Sequence, residues 1–272
     1  MRLLSSASTL PEAEEEGPGG LTWRLVATAA FLGALALNAL ANWLPLGGRT
    51  TGELSALYPN LVVPAGVTFS IWGLIYLLVA GWCVEQFLPV AAGLARRVAP
   101  AFALSSVLNG GWLLAWHHLR VGLSLLIMAG LLVTLLVLNA RLVVRGASGS
   151  RRRILTLARA AFGLYLGWIL VATLVNATVL LVALGWDGGP VAPEIWAALV
   201  VVAGAVAGIF TFRRLKNAWV AAAVVWGFSG VALARFPEAP LVAWTAVAMV
   251  VLVATDAFRT AAPADSVRGT AP

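Results

Sequence analysis

Charge is scarce in this chain. Only 11% of its 272 residues are Asp, Glu, Lys or Arg, against about a quarter in soluble domains. Cysteine is almost absent. Cys83 stands alone, which excludes an intramolecular disulfide and a cysteine-built zinc site. No glycine-rich phosphate loop ends in Lys-Ser/Thr, so the chain carries no ATPase motor. The only histidines are the neighbours His117 and His118, and no serine, histidine and acid assemble into a nucleophilic triad. Acids at mid-span are missing too. Glu85 and Asp256 fall near span ends, which argues against an ion-coupled carrier.

What the chain has instead is apolar surface: 61% of its residues are hydrophobic. That excludes a soluble enzyme, a disordered regulator and a nucleic-acid module. A membrane span needs about 20 apolar residues. Eight segments qualify: 23–43, 63–88, 99–116, 121–142, 155–184, 194–212, 218–234 and 241–258. The fifth exceeds a straight crossing, so its start is expected on the membrane surface. Only helices satisfy their own backbone in lipid at these lengths. The expected fold is therefore all-α, a polytopic transmembrane bundle of about eight spans. The acidic, proline-containing stretch 1–22 reads as a disordered tail without a cleaved signal, and 260–272 as a second tail.

The cations set an orientation. Placing both ends inside leaves Arg49, Arg120 and Arg235 outside, three of the 18 Lys and Arg residues, and the other fifteen inside. The net charge of +7 is thus a topology signal with lipid headgroups as its partners, and no nucleic acid is expected.

The 12 tryptophans are the chemical signal. Trp23, Trp43, Trp82, Trp186, Trp196 and Trp219 fall at span ends and suit an interfacial belt. Several others fall on helical stripes with polar residues. Trp72 and Tyr76 stand at i and i+4. Asn109, Trp112 and Trp116 stand at i, i+3 and i+7. Tyr165, Trp168, Ala172 and Asn176 stand at i, i+3, i+7 and i+11. At about 1.5 Å per residue, Trp72, Asn109, Trp112 and Asn176 all fall about 6–12 Å below the outer span ends. Trp168 and Tyr165 come deeper, as a floor. Aromatic walls with a few amide and phenol groups suit a large, flat, mostly apolar ligand. The alternative is packing, with the asparagines as interhelical glue.

These residues resemble the TspO/MBR family, the tryptophan-rich sensory proteins that include the mitochondrial translocator protein. Pro64, Trp72 and Tyr76 match the start of the family's second helix. Asn109 and Trp112 match its third, and Tyr165, Trp168, Ala172 and Asn176 its fifth. Gly66 and Thr68 depart from the motif, where the family has tryptophan and phenylalanine. The resemblance covers about 23–186. It implies a five-helix core over 23–187, a three-helix membrane extension over 188–259, and a loop over 45–62 that covers the pocket. Arg49, Glu53, Tyr58 and Asn60 are the lid residues it implies. It also implies a hydrophobic ligand, a porphyrin, haem or sterol-like molecule, bound for sensing or regulation. No obligatory cofactor, metal or catalytic residue is expected. A permease-like subunit, a porphyrin-modifying enzyme and a purely structural partner are the alternatives, and a homodimer stays open. The expected location is a bacterial cytoplasmic membrane, multi-pass, with both termini cytoplasmic. An imidazole of His117 or His118 near the pocket mouth suits a haem iron, although histidines beside Arg120 also suit an ordinary interface.

Overall fold

The structure, a computed structural model, describes residues 19–43, 48–49, 51–143 and 148–261. The expectations for 1–18, Pro45, the Trp43 side chain, Arg145 and 262–272 lie outside the described residues. Among the described residues there is no strand. The α-helices are α1 (Gly19–Trp43), α2 (Thr51–Ala56), α3 (Ile71–Glu85), α4 (Ala92–His117), α5 (Val121–Arg141), α6 (Gly149–Ala183), α7 (Pro193–Leu215), α8 (Ala218–Arg235) and α9 (Pro240–Ala261). All but α2 belong to segments long and apolar enough to cross a membrane, eight among the described residues, so the chain is a polytopic helical membrane protein.

Several boundaries differ from the expectation, each for a local reason. The helix begins at Gly19, inside the stretch expected to be a tail. The third span starts at Ala92 and runs through Pro100, which loses one hydrogen bond without ending the helix. The fifth is one unbroken helix of 35 residues, about 52 Å at the helical rise. The second span starts late. Residues 63–65 have no regular structure and a 3-10 turn covers Gly66–Ser70 before α3 begins. Pro64 has no N–H to donate and Gly66 has low helix propensity, so this stretch resists an α-helix.

Five helices close a ring. α1 packs on α4, α4 on α5, α5 on α6 and α6 on α3. Side chains join the remaining pair: Gln86, just past α3, donates to Thr28 Oγ1 at 2.8 Å, and Phe31 of α1 meets the Tyr76 ring at 6.3 Å. The buried centre includes Ile75, Val79, Phe102, Phe162 and Leu166. The other three helices dock on the outside of α6, with α8 against it and α7 and α9 against α8.

One end of the bundle holds two ion pairs and a further arginine contact, while the Arg235–Glu238 pair lies at the other end. Arg153 pairs with Glu85 at 3.1 Å, Arg213 pairs with Asp256, and Arg141 donates to the Arg97 carbonyl at 2.9 Å. Both acids expected near span ends are therefore neutralised there. Of the expected tryptophan belt, Trp23, Trp186 and Trp219 are exposed. Trp196 is half-buried and donates to the Gly188 carbonyl. Trp82 is a correction: it is fully buried, edge-on to Phe162 at 6.0 Å.

Candidate functional site

At the opposite end, the ring of helices opens on a cavity. Its walls are Phe69, from the 3-10 turn, Trp72 of α3, Trp112 and Trp116 of α4, and Trp168, Val171, Ala172, Val175 and Asn176 of α6. Pro64 forms the rim, and Thr51 and Ser55 of α2 close it from above. The concavity measures about 470 Å³ out to its open mouth, while the free space inside is about 30 Å³. That interior admits a water-sized group, whereas drug-sized ligands occupy pockets of about 300–1,000 Å³. This is a closed arrangement of the site.

The rings are packed edge to face. Phe69 meets Trp168 at 5.6 Å and Trp72 meets Trp168 at 6.4 Å, both nearly perpendicular. Trp112 and Trp116 lie nearly parallel at 6.1 Å. Perpendicular contacts match a ring's positive edge to its neighbour's negative face. Asn176 anchors the polar side. Its Oδ1 accepts from Trp112 Nε1 at 3.2 Å and from Ser124 Oγ at 3.3 Å, and its Nδ2 donates to the Ala172 carbonyl at 2.9 Å.

Five of the predicted residues, Trp72, Trp112, Trp168, Ala172 and Asn176, thus line one cavity. Tyr76, Asn109 and Tyr165 do not. They form a second layer behind Trp72, which stacks on Tyr76 at 5.2 Å and meets Tyr165 edge-on at 5.7 Å. Asn109 accepts from Asn38 Nδ2 of α1 at 3.1 Å and faces the Tyr165 hydroxyl. In this layer Asn109 Nδ2 and the Tyr76 hydroxyl are buried donors without a hydrogen-bond partner. Trp168, placed as a floor by the depth count, is instead a wall of the cavity itself.

The lid differs in which residues do the closing. Arg49 and Glu53 are exposed and do not line the cavity. Tyr58 is half-buried against the core. Asn60 holds the loop down: its Oδ1 accepts from Val62 N at 3.1 Å and from Thr178 Oγ1 of α6 at 3.3 Å. A second tether runs from Trp116 Nε1 to the Thr51 carbonyl at 3.3 Å. Thr51 and Ser55 carried no periodic signal because they sit in a helix of six residues. Trp116 lay on the Asn109 stripe, and Phe69 one place beyond the motif position at Thr68.

His117 does not line the cavity. It is buried, with Nδ1 3.0 Å from the Leu113 carbonyl, while the exposed His118 makes the same contact with Leu114 at 2.8 Å. Among the described residues, no group of three His, Cys, Asp or Glu is placed to hold a metal ion.

A family model described as TSPO-like protein matches residues 24–258. The match runs past 186 through α7, α8 and α9, so the outer helices are part of the matched family pattern. Neither the curated proteins nor the solved structures include a match to this chain. With the match covering most of its length, the chain belongs to the TSPO-like protein family.

Proposed function

We propose that this membrane protein binds a flat, largely apolar ligand in the cavity beneath α2, a porphyrin or haem first, and does so for sensing or regulation. One observation carries the reading: five aromatic rings from the 3-10 turn, α3, α4 and α6 converge on a single concavity. Rings at these angles offer faces and edges to a planar ligand. Behind Trp72, Asn109 Nδ2 and the Tyr76 hydroxyl are buried donors without a hydrogen-bond partner, and a ligand's acceptor atom reaches them only if Trp72 turns aside. Ligand entry requires the lid to lift, which breaks the Trp116–Thr51 and Thr178–Asn60 tethers and lets the rings turn. The cation bias supports an orientation with the lid end outside and both termini inside, and the membrane proposed is a bacterial cytoplasmic one.

The test is a titration of purified protein in detergent with protoporphyrin IX and with haem, followed at the Soret band. A folded Trp168→Leu variant runs beside it. Saturable micromolar binding that weakens about tenfold in the variant, some 1.4 kcal/mol, is the expected result. Equal absorbance changes for both proteins would mean that the porphyrin partitions into the micelle, and would overturn the reading.

A further inference from the structure

The rim of the cavity is irregular backbone. Residues 63–65 have no regular structure, and Pro64 and Phe69 on either side of Gly66 contribute to the lining. Backbone N–H and C=O groups at such a place need partners from the protein, because lipid supplies none. The partners come from α8. Ala65 N donates to the Gly230 carbonyl at 3.0 Å, Trp226 Nε1 donates to the Thr68 carbonyl at 2.7 Å, and Arg235 donates to the Val63 carbonyl at 3.3 Å. Trp226 and Gly230 are one helical turn apart, so they present one face. Gly230 lies so close to the rim that a Cβ there would overlap the Thr68 side chain. Thr68 itself is buried.

We infer that α8 is a positioning element for the mouth of the cavity, with Trp226, Gly230 and Arg235 clasping residues 63–68 and so holding Pro64 and Phe69 in the closed site. The three outer helices then do more than widen the bundle. They fix the rim that faces the lid, and any movement of α8 along α6 moves that rim. The clasp concerns opening of the cavity and holds whatever ligand it takes.

The test reads opening without a ligand. The full-length protein in nanodiscs carries Cys83→Ala, to remove the native thiol, and Ala172→Cys as a reporter inside the cavity. The measured quantity is the rate of modification by a sulfonated methanethiosulfonate reagent. Trp226→Phe keeps the ring and removes one hydrogen bond, so modification should quicken about threefold. Gly230→Val pushes the rim away and should quicken it about tenfold or more. Gly81→Ala, which adds a methyl against Leu157 at the α3–α6 contact and touches neither α8 nor 63–68, should leave the rate unchanged. Unchanged rates in a monodisperse Trp226→Phe variant would overturn the clasp, even if Gly230→Val fails to fold. An equal rise in Gly81→Ala would also overturn it, by showing general loosening. A porphyrin titration that fails while these rates respond would remove the proposed ligand and leave the clasp standing.

Discussion

Along α6, Tyr165, Trp168, Ala172 and Asn176 turn toward the five-helix ring, whereas Gly163 and Gly167 turn toward α8. The first face is built of rings, a small cavity and amide groups, with two unused donors in the layer behind it. The second has no spare volume: a Cβ at Gly163 would crowd Asn217 and Trp219, and one at Gly167 would overlap the Val220 backbone. The polar groups beside this second face are matched. Asn217 Nδ2 donates to Asn139 Oδ1 and to the Arg159 carbonyl, and Asn139 Nδ2 donates to the Phe162 carbonyl. Small residues let helix backbones approach closely in membranes, where packing replaces the hydrophobic effect as the source of association. One helix therefore presents a tightly packed, satisfied face that holds the bundle and an opposite face on which rings can rearrange.

Gly167→Val should separate these faces most sharply. The new side chain must displace backbone, not a flexible side-chain tip, so a loss near about 3 kcal/mol is expected, at the high end of overpacking costs. Thermal unfolding in detergent measures it. Gly73→Ala in α3, where nothing lies within 4 Å of a new Cβ, is the matched control. It should be neutral or slightly stabilising through helix propensity. Equal losses in both variants would mean that the α6–α8 contact has no special tightness.

On the cavity side the expected effects are smaller. Asn176→Ala leaves Trp112 Nε1 without its acceptor, while Ser124 keeps its bond to the Val121 carbonyl. A loss of about 1–2 kcal/mol follows, in line with buried hydrogen bonds and interhelical polar contacts. A double-mutant cycle with Trp112→Phe should show a coupling of about 1 kcal/mol. Additive losses would mean that the indole and the amide do not depend on each other.

The tight face was harder to foresee than the open one. Spans and aromatic stripes repeat with the helical period, so spacing and depth grouped Trp72, Trp112 and Asn176, while Trp168 and Ala172 entered through the stripe they share with Asn176, with Trp168 placed a layer too deep. Asn109 shared that period yet faces Asn38, because spacing gives a helix face and not the neighbour it meets. Gly66 and Thr68 stood out only as departures from a motif. Their segment's partner, the Trp226–Gly230 turn, lies more than 150 positions along the chain. Such a contact depends on how the outer helices dock, and no local pattern encodes it. The lid residues Thr51 and Ser55 were hidden for the opposite reason, since a six-residue helix is too short to show a period.

Tyr76→Phe is the mildest change and the one whose sign matters most. The Tyr76 hydroxyl is buried without a partner, while its ring stacks on Trp72 at 5.2 Å. Removing the hydroxyl keeps the stack and relieves an unmatched polar group. Stability should stay level or rise by up to about 1 kcal/mol, since deleting an unsatisfied group returns its desolvation penalty. Porphyrin affinity should move the other way if a ligand acceptor uses that hydroxyl, by about threefold to tenfold for one neutral hydrogen bond. A variant more stable and weaker in binding would mark the hydroxyl as a group kept unmatched for a ligand. A variant that loses stability would show that the hydroxyl has a structural partner, and would leave Asn176 in the cavity and Asn109 behind it as the polar groups of the site.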